Sequence, residues 1–200
     1  MNTEKIVKVA GVLDTIAKIA GGILKACGIV CIIFAVLVLV FGEKMFVEGS
    51  VTLELDFLKL YLSEQYQIIP AMIKLYAVVG LLVGGVLCFM MSYIAKLARN
   101  ILAPMKEGRP FEQGVSENLK KIAVAILIGG AVSELLGVAE RIIMTKAYPM
   151  EEIFASEAIS KLEYVFTYDL DFVFTAVIVL FASYIFSYGQ VLQQESDETL

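Results

Sequence analysis

Residues 21 to 41 read GGILKACGIVCIIFAVLVLVF, an apolar run interrupted by a single charge at Lys25. An apolar helix needs about 20 residues to cross the roughly 30 Å of hydrocarbon in a bilayer. Three more apolar blocks follow, so the predicted spans are about 21–41, 71–94, 122–143 and 172–188. The sequence therefore predicts an all-α membrane protein, with one domain of four transmembrane helices over residues 1–200 and the lipid bilayer as its principal partner.

The composition agrees with this fold class and excludes several functions. Hydrophobic residues make up 59% of the chain, above the share in an ordinary soluble domain. The net charge of −5 argues against direct binding of nucleic acid, since phosphate binding requires a basic face. The chain has no histidine and no phosphate-binding loop, so the usual catalytic triads and nucleotide sites are excluded. We expect no enzyme activity, no metal and no cofactor.

The basic residues favour one side of the membrane. Ten of the 16 Lys and Arg lie before or near the start of the first span, or between the second and third spans. The other two connections, taken with the adjoining ends of the spans, hold the remaining six and twelve acidic residues. Because Lys and Arg are retained in the cytoplasm, both termini are predicted to be cytoplasmic, in a multi-pass protein of the cell membrane.

Shorter segments flank the spans. Residues 4–20 repeat apolar side chains at three- and four-residue steps, which predicts an amphipathic helix. This helix either lies in the inner headgroup region, with a bend at Gly21–Gly22, or runs straight into the first span. Residues 51–57 alternate apolar and polar side chains, which predicts a short extracellular strand. A short extracellular helix is predicted after Pro149.

The strand motif Thr52–Phe57 recurs as Thr167–Phe172. A duplicated two-span unit, with its two strands paired outside the membrane, would explain this similarity. Chance similarity between two short amphipathic segments would explain it equally.

Glu134 is the outstanding candidate for chemistry, because it lies slightly beyond the middle of the third span. An ionisable group at that depth costs several kcal/mol unless it is paired, protonated or hydrated. Lys74 and Arg141 are the candidate partners. A structural ion pair, a neutral carboxyl group and a proton- or ligand-binding role all remain open.

The predicted cytoplasmic loop and tail are candidates for binding a partner. Pro104, Gly108 and Pro110 predict a turn that exposes Arg109, Pro110 and Phe111. Ser116 is placed to cap the third helix. The tail carries Glu195, Asp197 and Glu198 without a basic residue.

Two stretches carry a family resemblance. One is Gly108-Arg-Pro-Phe111 followed by Asn118-Leu-Lys-Lys-Ile122, and the other is Phe186-Ser-Tyr-Gly189 with Leu192-Gln-Gln-Glu195 and Asp197-Glu-Thr-Leu200, where Ser196 is inserted. They resemble a bacterial family of small four-span membrane proteins of unknown function, often encoded beside a short Xre-type helix-turn-helix regulator. The resemblance implies a membrane partner for a transcription regulator and no established reaction.

We therefore expect an integral membrane sensor or regulatory partner that engages a cytoplasmic regulator through its inner loop and acidic tail. One alternative is a small transporter or channel subunit that uses Glu134, as a homo-oligomer because four helices enclose little pore. Another is a structural or immunity-type membrane protein.

Overall fold

The computed structural model describes residues 3–45, 52–55, 58–61, 70–109, 111–112, 114–147, 154–155 and 168–198. Four helices carry the described chain: α1 (Thr3–Met45), α2 (Pro70–Lys106), α3 (Val115–Ala147) and α4 (Asp171–Glu198). All four are long and apolar enough to cross a bilayer. The prediction of a multi-pass, four-helix membrane protein is confirmed at this level.

The connection between α1 and α2 contains a two-stranded antiparallel hairpin. Strand β1 (Thr52–Leu55) lies within the predicted strand segment and pairs with β2 (Leu58–Tyr61). One of the two open alternatives paired β1 with the second copy of the motif, but in the described part of that copy Tyr168–Leu170 is irregular and Asp171 begins α4. The described part of the second copy therefore contains no strand that could pair with β1, and that alternative is wrong. The helix predicted after Pro149 lies outside the described residues, apart from Phe154 and Ala155.

Helix α1 passes through Gly21–Gly22 without a break. Its 43 residues measure about 65 Å at 1.5 Å per residue, roughly twice the hydrocarbon thickness. The N-terminal amphipathic segment is therefore continuous with the first span. Along α1, small residues at three- and four-residue steps turn inward, among them Ala10, Gly28 and Ala35. Small residues permit close helix contact in a bilayer, where apolar burial alone gives little drive.

The connection between α2 and α3 is much shorter than the predicted loop. Helix α2 continues to Lys106, with Pro104 inside its last turn. The amide of Arg109 donates to the carbonyl of Pro104 at 3.0 Å, and that of Gly108 donates to Met105 at 3.2 Å. With Gly108 at φ 77°, this is a Schellman ending, which places a glycine in the left-handed region. We call residues 107–114 the α2–α3 turn.

The chain folds into two compact units. Unit 1 contains Met1–Ile29, Gly85–Glu134 and Tyr168–Leu200, and unit 2 contains Val30–Gly84 and Leu135–Thr167. The core of unit 1 is formed by Leu97, Ile101, Val115 and Ile122. In unit 2, the aliphatic part of Lys74 lies against Gly42 and the carboxylate of Glu140 lies against Gly80.

Within unit 1, α4 begins unexpectedly far along α3. Phe172 lies so close to Gly130 that a Cβ on that glycine would overlap the Phe172 ring. In an antiparallel pair of spans, the start of the fourth would lie beside the end of the third, near Ile143. The apolar parts of α3 and α4 are therefore offset along the helix axes.

Candidate functional site

The α2–α3 turn is fixed at both ends by backbone geometry. Gly108 ends α2, and Gly114, at φ 101°, precedes α3. Between them, the amide of Glu112 donates to the carbonyl of Arg109, and that of Val115 donates to Glu112, each at 3.3 Å. These hydrogen bonds define the backbone of the described residues of the turn, 107–109, 111–112 and 114, from which side chains project. Pro110 lies outside the described residues.

Phe111 packs against α4. Its ring centroid is 5.6 Å from that of Phe186, at an interplanar angle of 43°. The ring also covers Gly189, where an added Cβ would lie 2.6 Å from Phe111 Cε1. Phe111 remains 39% exposed. One part of the ring is thus seated on α4, and the rest is available at the surface.

A line of polar side chains ties α4 to the turn and to the start of α3. Gln190 Nε2 donates to the carbonyl of Glu112 at 2.5 Å. Ser116 Oγ donates to Gln190 Oε1 at 3.4 Å, and the fully buried Ser183 donates to the carbonyl of Ser116 at 2.8 Å. The prediction that Ser116 caps α3 is wrong, because α3 begins at Val115 and the Ser116 hydroxyl is used by α4.

The charges of the turn are largely satisfied within it. Arg109 pairs with Glu107 and lies 3.4 Å from Glu112. Hydrogen bonding to Glu107, with the nearby charge of Glu112, raises the pKa of the Arg109 guanidinium further above its ordinary value. Arg109 thus organises its own turn and is a weaker candidate for binding an external acid.

An open groove of about 460 Å³ lies between the turn and α4. The residues that line it include Arg109, Phe111, Glu112, Gln190, Gln194 and Glu198. We call it the turn–tail groove. It brings together side chains from the loop and from the tail, which the sequence analysis identified as separate candidates for binding a partner. Its walls offer an aromatic edge, amide groups and carboxylates.

The tail continues α4 as an exposed polar helix. Glu195 and Glu198 are exposed, and Gln194 Nε2 donates to Glu198 Oε1 at 3.2 Å. Asp197 lies in the same helix, and its side chain is outside the described set. The predicted acidic residues Glu195, Asp197 and Glu198 therefore belong to a helix that continues from the fourth span.

Asp14 forms an ion cluster that was not predicted from the sequence. Its Oδ1 lies 2.9 Å from Arg99 Nε, and its Oδ2 lies 2.7 Å from Lys106 Nζ. Hydrogen bonds from Lys106 and Arg99 lower the pKa of the Asp14 carboxyl. The signal was present in the sequence, because Asp14 is the only acid among the lysines of residues 5–25.

Glu134 lies in α3, with part of its surface exposed and its Oε2 atom buried without a hydrogen-bond partner. It belongs to unit 1, whereas Lys74 and Arg141 belong to unit 2. Its pairing with either cation stays a prediction.

The described residues contain no group of three His, Cys, Asp or Glu side chains arranged to hold a metal ion. No family model, curated protein or solved structure matches this chain. The functional argument therefore depends on the geometry of the turn–tail groove and of Glu134.

Proposed function

We propose that this protein is an integral membrane regulatory partner that holds a soluble transcription regulator at the cytoplasmic face of the cell membrane. The proposed orientation places both termini and the α2–α3 turn in the cytoplasm, on the basis of the Lys and Arg distribution. The family resemblance suggests a helix-turn-helix regulator as the partner. We assign no catalytic role.

The turn–tail groove is the observation that carries this proposal. An aromatic anchor in a partly enclosed site is a common centre of protein recognition, and Phe111 offers an exposed edge there. The neighbouring carboxylate of Glu198 would attract a basic segment. A regulator bound through its basic DNA-reading face would be kept from DNA, because phosphate binding requires that same face.

Cell fractionation with matched charge reversals tests the proposal. The protein is expressed with the regulator encoded beside it, and the regulator is measured in membrane and cytosol. Glu198→Lys should lower the membrane-bound fraction several-fold, and added salt should lower it further. Glu117→Lys is the control, because Glu117 is exposed on α3 outside the groove and the charge change is identical. A regulator that stays soluble beside the unaltered protein would refute the proposal.

Glu134 supports a second candidate, a small transporter or channel subunit. A buried carboxyl oxygen without a partner is costly in a membrane helix and is commonly retained for proton or ion binding. In this function Glu134→Gln would abolish proton-coupled flux in liposomes while leaving the thermal stability in detergent unchanged. If it instead lowers stability, and Lys74→Met or Arg141→Met restores it, the residue is part of a structural ion pair.

A further inference from the structure

A second groove lies between α2 and α3, with a volume of about 450 Å³. It is lined by Met90, Tyr93, Lys120, Lys121, Val124, Ala125 and Ile128. We call it the lysine groove. It shares no residue with the turn–tail groove.

The predicted spans place the polar end of the lysine groove at the edge of the hydrocarbon and its apolar end within the hydrocarbon. The second span ends near Tyr93 and the third begins just after Lys121, so these side chains lie at one edge of the hydrocarbon. Val124, Ala125 and Ile128 continue from that edge into the third span. The groove thus has a basic end at headgroup depth and an apolar wall at acyl-chain depth.

The side chains of the lysine groove are available to an external molecule. Val124 and Ile128 are 52% and 60% exposed, and Tyr93 is 48% exposed. Lys121 pairs loosely with Glu117 at 3.9 Å, and both side chains are largely exposed. Lys120 is exposed, and its Nζ lies 5.6 Å from the centroid of the Tyr184 ring.

We infer that the lysine groove binds one anionic glycerophospholipid from the leaflet on the side of the α2–α3 turn. The lipid phosphate would lie between the ammonium groups of Lys120 and Lys121, with the Tyr93 hydroxyl as a further donor. One acyl chain would follow Met90, Ala125 and Ile128. The basic end favours an anionic over a zwitterionic headgroup, and the apolar wall favours a lipid over a soluble phosphate. This inference is independent of the proposed regulator.

Native mass spectrometry of the detergent-purified protein tests this inference, with palmitoyl-oleoyl phosphatidylglycerol, the phosphatidylcholine with the same chains, and glycerol phosphate. Phosphatidylglycerol should bind with clear preference over both. Each lysine near a headgroup is worth about fivefold in binding, so Lys120→Gln with Lys121→Gln should weaken phosphatidylglycerol about 25-fold. Lys8→Gln with Lys18→Gln is the control, since both lysines are exposed on α1 outside this groove and the charge change is equal.

A second variant tests the apolar wall without altering charge. Ala125→Phe should fill the groove and weaken phosphatidylglycerol to a similar degree, while circular dichroism shows an unchanged helix content. Equal affinity for the two lipids, equal losses in the control pair, or full binding by Ala125→Phe would each overturn the inference. Binding of glycerol phosphate as tight as that of the lipid would overturn it too, by identifying a site for soluble anions.

Discussion

Asp14 attaches the N-terminal segment of α1 to the end of α2 through two cations. Its lowered pKa means that pairing with Lys106 and Arg99 stabilises the folded protein above the ordinary carboxyl pKa of 3.8. This stabilisation is lost as the pH falls through the lower, folded-state pKa. At neutral pH the carboxylate is charged and the cluster is complete.

The first prediction concerns Asp14→Asn, which should lower the midpoint of thermal unfolding in detergent by a small, constant amount between about pH 5 and pH 8. The difference from the unaltered protein should vanish below the ordinary carboxyl range. Glu117→Gln removes one charge at a side chain that is 73% exposed and should have no such effect. A difference that persists in acid would show that Asp14 acts through something other than its charge.

Gly130 allows α3 and α4 to approach closely. A Cβ at this position would overlap Phe172 Cγ and would lie 2.5 Å from Phe172 Cβ. Because these atoms lie near the backbone of α4, the phenylalanine cannot simply rotate away.

Gly130→Ala is therefore predicted to destabilise the protein by about 1–3 kcal/mol, the usual cost of overpacking. Thermal unfolding followed by circular dichroism measures the effect. Gly137→Ala is the matched control, since an added Cβ there meets nothing within 4 Å and alanine favours the helix. Equal stability of the two variants would contradict the close contact of Gly130 with Phe172.

At the scale of elements, the contact between the α2–α3 turn and α4 depends on Gln190. Its amide holds the carbonyl of Glu112, so Gln190→Ala should loosen the turn by about the 0.5–1.5 kcal/mol of one hydrogen bond. Hydrogen exchange at residues 107–114 should become several-fold faster. Gln193→Ala is the control, because Gln193 lies three residues further along α4, lines the same groove and has an exposed side chain. Unchanged exchange in Gln190→Ala would remove this residue from the account of the turn.

The sequence predicts these elements well and their contacts poorly. Long apolar runs determine where helices form, and Gly108 with its neighbouring prolines indicates the turn. Ser183, Phe186 and Gln190 follow helical spacing, so a shared face of α4 was detectable. Their partners on the turn and on α3 depend on how the helices rotate and slide, which periodicity does not determine. For the same reason, the sequence identified Phe111 as a candidate but did not predict its contact with Gly189. The predicted capping role of Ser116 was wrong.

At the scale of the molecule, the apolar part of α4 is shifted along the helix axis relative to the apolar part of α3. The two predicted spans therefore do not lie side by side over their full lengths. Gly130 lies eight residues, or about 12 Å, beyond Ile122, where the predicted third span begins. Because Phe172 contacts Gly130 and is the second residue of α4, α4 begins beside the interior of that span. The predicted fourth span is also the shortest. Lengths and hydropathy cannot reveal such an offset, because each helix is scored separately.

Cysteine labelling tests the proposed orientation of the whole molecule. On a background without Cys27, Cys31 and Cys88, a cysteine at Ala155 should react with an impermeant thiol reagent in whole cells. A cysteine at Glu117 should react only after lysis, because that exposed site is on the proposed cytoplasmic side. Labelling of Glu117→Cys but not Ala155→Cys in whole cells would invert the orientation.

Site-specific photo-crosslinking tests most directly whether the turn–tail groove holds the regulator. A photoreactive phenylalanine derivative at Gln194, which lines the groove, is compared with the same residue at the exposed Ala155. In cells that co-express the proposed helix-turn-helix regulator, irradiation should give a covalent adduct of the two chains from Gln194 only, and Glu198→Lys should reduce it several-fold. The absence of that adduct at Gln194, or equal adducts at both positions, would contradict the proposed function.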